Sequence, residues 1–267
     1  MSDQMGADSA LPLLVFGPPG AGVPLVRAAL LETGIPAIGW EGGQDAGWEG
    51  PTGRPGPGPR QLLVGLEASD LACLGRASSE WSDQSLPTEL SRAVRALQQS
   101  RERLLPARVR ADLLLDTSQL SAQMLQARIL QLGACLQPQP ADQPAVVVES
   151  FAYPRGVPLD LSWAIDARVL RNPFWQPELR MLSGLDAKVQ EFVLTQPLAE
   201  GLLRTVEGTV QALLPELRAR GRRILRIAIG CTGGFHRSVA ITEELGRRLR
   251  SARLPTVVWH RDLVERA

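Results

Sequence analysis

The stretch Cys231-Thr-Gly-Gly-Phe-His-Arg-Ser238 gathers several groups suited to phosphate within eight positions. Thr232 and Ser238 offer hydroxyls, His236 can donate or accept, and Arg237 can form a bidentate pair with phosphate oxygens. An apolar run at 224–229 predicts a strand that ends just before this stretch, and helical spacing resumes at about Arg237 or Ser238. A strand–turn–helix junction of this kind aims several backbone N–H groups, and the positive end of a helix, at one point. Gly233 and Gly234 let the backbone come close to an anion there. A plainer account needs no ligand: a tight strand–helix turn uses glycine for its shape and Ser238 as a helix cap. Polar side chains converge where the helix dipole points, and this favours the anion site.

The same spacing, C-x-x-G-x-x-R-S, is that of the phosphate cradle in cysteine-dependent phosphatases. There a thiolate, its pKa lowered by amides and Arg, attacks phosphorus. On that reading Cys231 and Arg237 are catalytic. Such enzymes usually carry His before the Cys, a position held here by Gly230, and they need a mobile Asp as general acid, which the sequence does not single out. A receptor without turnover is therefore preferred, with the phosphatase as the alternative. No metal and no cofactor are expected, because Cys73, Cys135 and Cys231 are far apart and lack metal-type spacing.

A second glycine-rich turn lies near the N-terminus, where LPLLVFGPPGAGVPLVRAAL (11–30) follows the outline of a phosphate-binding P-loop. In G-x-x-x-x-G-K-[ST] the backbone wraps the phosphates, Lys neutralises them and the hydroxyl holds Mg²⁺. Gly17, Gly20 and Gly22 keep the glycine framework, but Val23 and Pro24 stand where Lys and Ser or Thr belong. Lys188 is the only lysine in the chain, so no shift of register restores the ammonium. Arg27 lies a turn further on, and its planar fork does not thread a ring of amides as Lys does. The loop reads as a degenerate nucleotide-binding site without Mg-dependent hydrolysis.

Two α/β domains must position these turns. Strands at 11–16, 61–67 and 111–115 alternate with helices at 22–33, from about 70, at 86–106 and at 119–133, which predicts a parallel sheet over 1–136. Glu41 to Arg60 is so rich in Gly and Pro that it reads as a flexible loop, and QPQPADQP (137–144) reads as a linker. The domain at 145–267 has strands at 145–152, 162–170, 224–229 and 256–260, with helices around 186–195, 198–220 and 237–251. Asp116-Thr117-Ser118 offers groups that could touch a base, but a strand end with a helix cap is the preferred reading. The net charge of +1 excludes a globally basic nucleic-acid binder, yet residues 218–266 hold twelve arginines against four acids, a local +8. The N-terminal MSDQMGADSA has no basic residue and does not resemble a signal or transit peptide; no apolar run is long enough to span a bilayer. Together with the odd, scattered cysteines, this predicts a cytoplasmic protein.

At these residues the chain resembles the RNase adapter protein RapZ family of bacterial nucleotide- and RNA-binding proteins. AIGCTGGFHRSVAITEELGRRLR followed by HRDLVER is similar to that family's C-terminal signature, and residues 149–186 are similar to its central block. ADLLLDTSQLSAQMLQARI (111–129) resembles the last strand and helix of its N-terminal domain; the likeness is poor before residue 110. The resemblance implies a kinase-like P-loop domain followed by a sugar-phosphate-binding domain. In the characterised branch the latter senses glucosamine-6-phosphate and presents small regulatory RNAs to an endonuclease. It implies a pocket built from Asp166, Cys231, Thr232, His236 and Arg237, walled by Asn172, Trp175 and Arg180. The chain departs from the family at Val23 and Pro24, at Glu67 for an Asp, at Pro154 and Phe174 for a basic residue and a His, and in LGRASSEWSDQS for an arginine-rich stretch. A lysine-rich tail is reduced to Glu265-Arg266-Ala267. The expected protein is thus a RapZ-like, non-catalytic regulator whose partner is a phosphorylated small molecule. RNA and an RNase are further partners that the resemblance implies, a membrane is not expected, and assembly into a homo-oligomer is left open.

Overall fold

Short apolar runs separated by amphipathic helices form parallel strands buried on both faces, because each crossover helix covers the sheet. The computed structural model describes residues 13–41, 62–77, 86–136 and 143–263. The chain packs as two compact units, Met1–Ala141 and Asp142–Ala267. Most of the Gly- and Pro-rich stretch at 41–60, and most of the linker at 137–144, lie outside the described residues, as do residues 264–267.

The first unit holds β1 (Leu13–Phe16), α1 (Val23–Glu32), β2 (Ala37–Trp40), β3 (Leu62–Glu67), α2 (Asp70–Ala77), α3 (Leu86–Arg110), β4 (Leu113–Asp116) and α4 (Ala122–Leu136). Its sheet runs β2-β1-β3-β4 with every pair parallel. The sequence reading did not anticipate β2, a strand of only four residues with Gly39 inside it. There the glycine has a reason, since a Cβ would lie 3.0 Å from Val23 and 3.1 Å from Arg27.

The second unit holds β5 (Ala145–Ala152), β6 (Trp163–Asp166), α5 (Ala187–Leu194), α6 (Pro197–Ala219), β7 (Ile224–Cys231), α7 (Arg237–Ser251) and β8 (Thr256–His260). Its parallel sheet has the order β6-β7-β5-β8. The single strand expected over 162–170 is shorter. It ends at Asp166, whose carboxylate accepts the Arg168 N–H at 2.8 Å and turns the chain into the 3-10 segment Ala167–Val169.

The two central strands, β5 and β7, are buried throughout. Each carries one charge, and the two charges meet: Arg226 Nη2 donates to Glu149 Oε2 at 2.6 Å, with both side chains nearly inaccessible. Arg226 Nη1 also donates to the Leu159 carbonyl at 2.8 Å, which ties the 157–160 turn to the sheet. On the outside, Arg248 of α7 joins Glu200 and Glu207 of α6 to Glu244 of its own helix. The Arg248 and Arg204 guanidiniums hold the Glu200 carboxyl down at about 2.

Candidate functional site

β7 carries the polar stretch to the carboxyl edge of the second sheet. The register sets Gly230 opposite Asp166 and Cys231 opposite Ala152, so β5, β6 and β7 end side by side. The turn that follows needs Gly234, whose φ of +63° is in the left-handed region. A Cβ there would also lie 2.9 Å from Asp262 Cβ and 3.0 Å from Ala152 Cβ. α7 then starts at Arg237, and no side chain caps it. The Ser238 hydroxyl is used differently: its Oγ lies 3.0 Å from Cys231 Sγ.

Arg237 is only 5% exposed. Its Nη1 donates to the carbonyls of Arg168 at 3.1 Å and Leu170 at 3.0 Å, and its Nη2 donates to Thr232 Oγ1 at 3.2 Å. Its Nε is buried without a hydrogen-bond partner. Burial lowers the pKa of Arg237 from its ordinary value, and the Asp166 carboxylate pulls the other way. A guanidinium fixed in this way holds its positive charge in one place without further ordering.

The cavity beside it measures about 320 Å³ and is lined by Asn172, Phe174, Trp175, Cys231, Thr232, Gly233, Phe235, His236 and Arg237. That volume suits a small organic molecule. Asn172 Oδ1 accepts the Phe174 N–H at 3.3 Å and opens the 3-10 turn Pro173–Trp175. Phe174 and Trp175 then meet edge to face at 5.4 Å, with Trp175 72% exposed at the mouth. Asp166, Arg180, Gly234 and Ser238 are not among the lining residues. Asp166 is held by Arg168 through contacts of 2.7 to 3.0 Å, and that hydrogen bonding lowers its pKa. Arg180 lies over the Phe174 ring at 4.8 Å, and its carbonyl lies 3.2 Å from His236 Nε2. Sequence reasoning missed Phe174 and Phe235 as wall residues, because an aromatic residue in a loop gives no sign of which way it faces.

Gly230 has no room for a side chain, since a Cβ would lie 2.5 Å from the Phe151 ring and 2.6 Å from the Tyr153 ring. The His that precedes the nucleophile in cysteine-dependent phosphatases therefore has no place here. Among the described residues lining the cavity there is no carboxyl group to act as general acid. A second constellation, unseen in the sequence because its members are far apart, links Ser150 Oγ to His260 Nδ1 and His260 Nε2 to Glu243 Oε1, each at 2.8 Å. Ser150 is fully buried, so this relay serves as internal bracing between β5, β8 and α7.

In the first unit, the turn from Gly17 to Gly22 has φ of +82° at Gly20 and +103° at Gly22. A Cβ on Gly17 would lie 2.5 Å from the Leu66 carbonyl. Arg76 of α2 donates to the Gly20 carbonyl at 2.7 Å and to the Thr117 carbonyl at 2.6 Å. Thr117 Oγ1 in turn donates to the Ala21 carbonyl at 3.0 Å. Val23 is buried, and the stem of Arg27 packs over Gly39. The glycine framework survives as a braced turn without its cation.

Part of the local +8 is buried or paired with carboxylates. Arg226 and Arg237 are buried, Arg247 and Arg248 are tied to carboxylates, and Arg261 is paired with Asp262. Arg218, Arg220, Arg222, Arg250 and Arg253 are exposed. They lie where α6 and α7 end and β7 and β8 begin, at the sheet edge opposite the cavity.

Comparison with known proteins agrees with this arrangement. Residues 144–264 match the RapZ C-terminal domain. A nucleotide-binding protein of Corynebacterium jeikeium is 38% identical over 208 residues, which span 77% of this chain and 69% of that protein. One from Streptomyces coelicolor is 37% identical over 207 residues, 77% and 68% of the respective chains. One from Pseudomonas putida is 38% identical over 198 residues, 74% and 69% of the respective chains. Among the described residues no helix is long and apolar enough to cross a membrane. With the matched domain covering the sheet, the turn and the cavity, and with relatives similar across both units, the chain belongs to the RapZ family.

Proposed function

We propose that this protein is a cytoplasmic, non-catalytic regulator that binds a phosphorylated sugar, of which amino-sugar phosphates are the first to test, in the cavity at the carboxyl end of β7. The observation that carries this reading is Arg237, buried, fixed by two carbonyls and Thr232, and lining a cavity of ligand size. A thermal-shift series with glucosamine 6-phosphate, ATP and inorganic phosphate tests it, because a ligand that binds only the folded state raises the melting temperature. The sugar phosphate is expected to stabilise the chain, and no shift at millimolar concentration would count against the reading.

Two outcomes separate a receptor from an enzyme. Cys231→Ser should bind the sugar phosphate within a few-fold of the wild type, since a hydroxyl still packs against Ser238. Neither protein should turn over an aryl phosphate. Hydrolysis that Cys231→Ser abolishes would make Cys231 a nucleophile instead.

Nucleotide binding is what the names of the relatives state of them. In this chain the missing Lys and hydroxyl, and the bracing of the turn by Arg76, argue against it. No Mg-dependent ATP or GTP hydrolysis is expected. Submillimolar ATP affinity lost on enlarging Gly20 or Gly22 would reverse this.

RNA contact is a second reading, supported by the five exposed arginines at the opposite sheet edge. Binding there should be modest and should fall steeply with added salt as phosphate contacts exchange for ions. A salt-insensitive affinity, or one retained by the 1–136 half alone, would reject that surface.

A further inference from the structure

We infer that Asp262 is a positioning residue of the cavity: it holds the Gly233–Phe235 backbone in place from outside, without itself touching a ligand. This rests on the reading of the cavity as a phosphosugar receptor and adds a residue to it. Asp262 is not among the lining residues, whereas Gly233 and Phe235, which flank Gly234, both are. Gly234 is seated directly on Asp262. A Cβ on that glycine would lie 2.9 Å from Asp262 Cβ, 3.0 Å from Ala152 Cβ and 3.1 Å from the Ala152 nitrogen. The left-handed bend at Gly234, with φ of +63°, therefore rests against residues 152 and 262, and their placement sets that of the turn.

The carboxylate is what fixes Asp262 there. Its Oδ2 accepts the Ala152 N–H at 2.7 Å, at the residue that ends β5 and stands opposite Cys231. The same oxygen accepts from Arg261 Nη2 at 2.8 Å, and Arg155 Nη1 lies 3.6 Å from Oδ1. Arg261 Nη2 also donates to the Gly156 carbonyl at 2.6 Å, which ties the end of β8 to the turn after β5. The Arg261 N–H donates to the Ser150 carbonyl at 3.0 Å, so this connection continues the β5–β8 pairing. One buried carboxylate thus joins β5, the chain after β8 and the cavity turn. Truncating it keeps the Cβ that touches Gly234 but leaves the buried Ala152 N–H without its acceptor and Arg261 and Arg155 without their counter-charge. Residue 262 is then released, and Gly233 and Phe235 lose the seat that holds them in the cavity wall.

Calorimetric titration with glucosamine 6-phosphate tests this on the full chain and on its Asp262→Ala, Asp262→Asn and Val210→Ala variants. Val210→Ala truncates a buried side chain of α6 and so controls for lost stability alone. Asp262→Ala should bind about tenfold more weakly, the worth of one charge-assisted hydrogen bond to the phosphate. Asp262→Asn should recover part of that loss, because its carboxamide oxygen still accepts the Ala152 N–H. Val210→Ala should bind within about twofold of the wild type, since it leaves the turn untouched. In the ligand-free proteins, amide exchange at residues 232–236 should quicken in Asp262→Ala and not in Val210→Ala. Wild-type affinity in Asp262→Ala, or an equal loss in Val210→Ala, overturns the inference and leaves the receptor reading intact. Should Asp262→Ala fail to fold, Asp262→Asn carries the same comparison. If the wild type does not bind, the receptor reading falls, and unchanged exchange at 232–236 in the Asp262 variants overturns the positioning role as well.

Discussion

Arg237→Ala should weaken sugar-phosphate binding by at least tenfold. A hydrogen bond between charged groups contributes about 1.5–3 kcal/mol, and 1.4 kcal/mol is a factor of ten in affinity. Arg237 is the cation inside the cavity, and its Nη1 and Nη2 are already oriented by Arg168, Leu170 and Thr232. Little ordering entropy therefore remains to be lost when phosphate arrives. The same bonds give the side chain a structural role, because truncation leaves the Arg168 and Leu170 carbonyls without this donor. The melting temperature of the variant must accordingly be measured beside its affinity. Arg237→Lys separates the two roles: it keeps the charge but lacks the planar fork, so it should recover only part of the loss. Wild-type affinity in a folded Arg237→Ala protein would place the phosphate elsewhere.

The largest effect on stability is expected at the centre of the second sheet. Glu149→Ala strands Arg226 as a charge within a buried sheet, and breaking such a pair costs about 3–5 kcal/mol. Thermal unfolding should shift downward by roughly 10 °C or more. The double variant Glu149→Met, Arg226→Met should regain much of that loss, because it removes both desolvated charges together. It will not regain all of it, since the Arg226 bond to the Leu159 carbonyl disappears as well. A single variant as stable as the wild type would show that the pair is dispensable.

What the sequence made legible follows from the range of the forces involved. β5, β7, α7 and β8 were readable because apolar runs and helical periodicity are local signals. So was the convergence of Thr232, His236 and Arg237 on one turn, since consecutive residues between a strand and a helix have little choice of place. β2 was missed because four residues with an internal Gly carry almost no periodicity. The strand expected over 162–170 failed at Asp166, where a side chain–backbone hydrogen bond outweighs the β-preference of the residues that follow. The cavity wall was only half visible. Asn172 and Trp175 were named through the family resemblance, whereas Phe174 and Phe235 were not, since their role depends on a loop folding back onto the turn. Ser150, Glu243 and His260 are brought together by three separate elements, a contact that one sequence does not encode in any short pattern. The surplus of arginine misled in a similar way. Local net charge does not reveal that Arg226 pairs with Glu149 or that Arg248 pairs with Glu200, both more than forty residues away.

Ligand binding is expected at the β7–α7 turn and not at the glycine turn of the first unit. Amide hydrogen exchange of the full chain, with and without saturating glucosamine 6-phosphate, tests it most directly. Added protection is expected in residues 231–238 and in the 166–180 segment that Arg237 and His236 hold against them, with residues 17–32 unchanged. Protection confined to residues 17–32, with the β7–α7 turn exchanging as before, would contradict it.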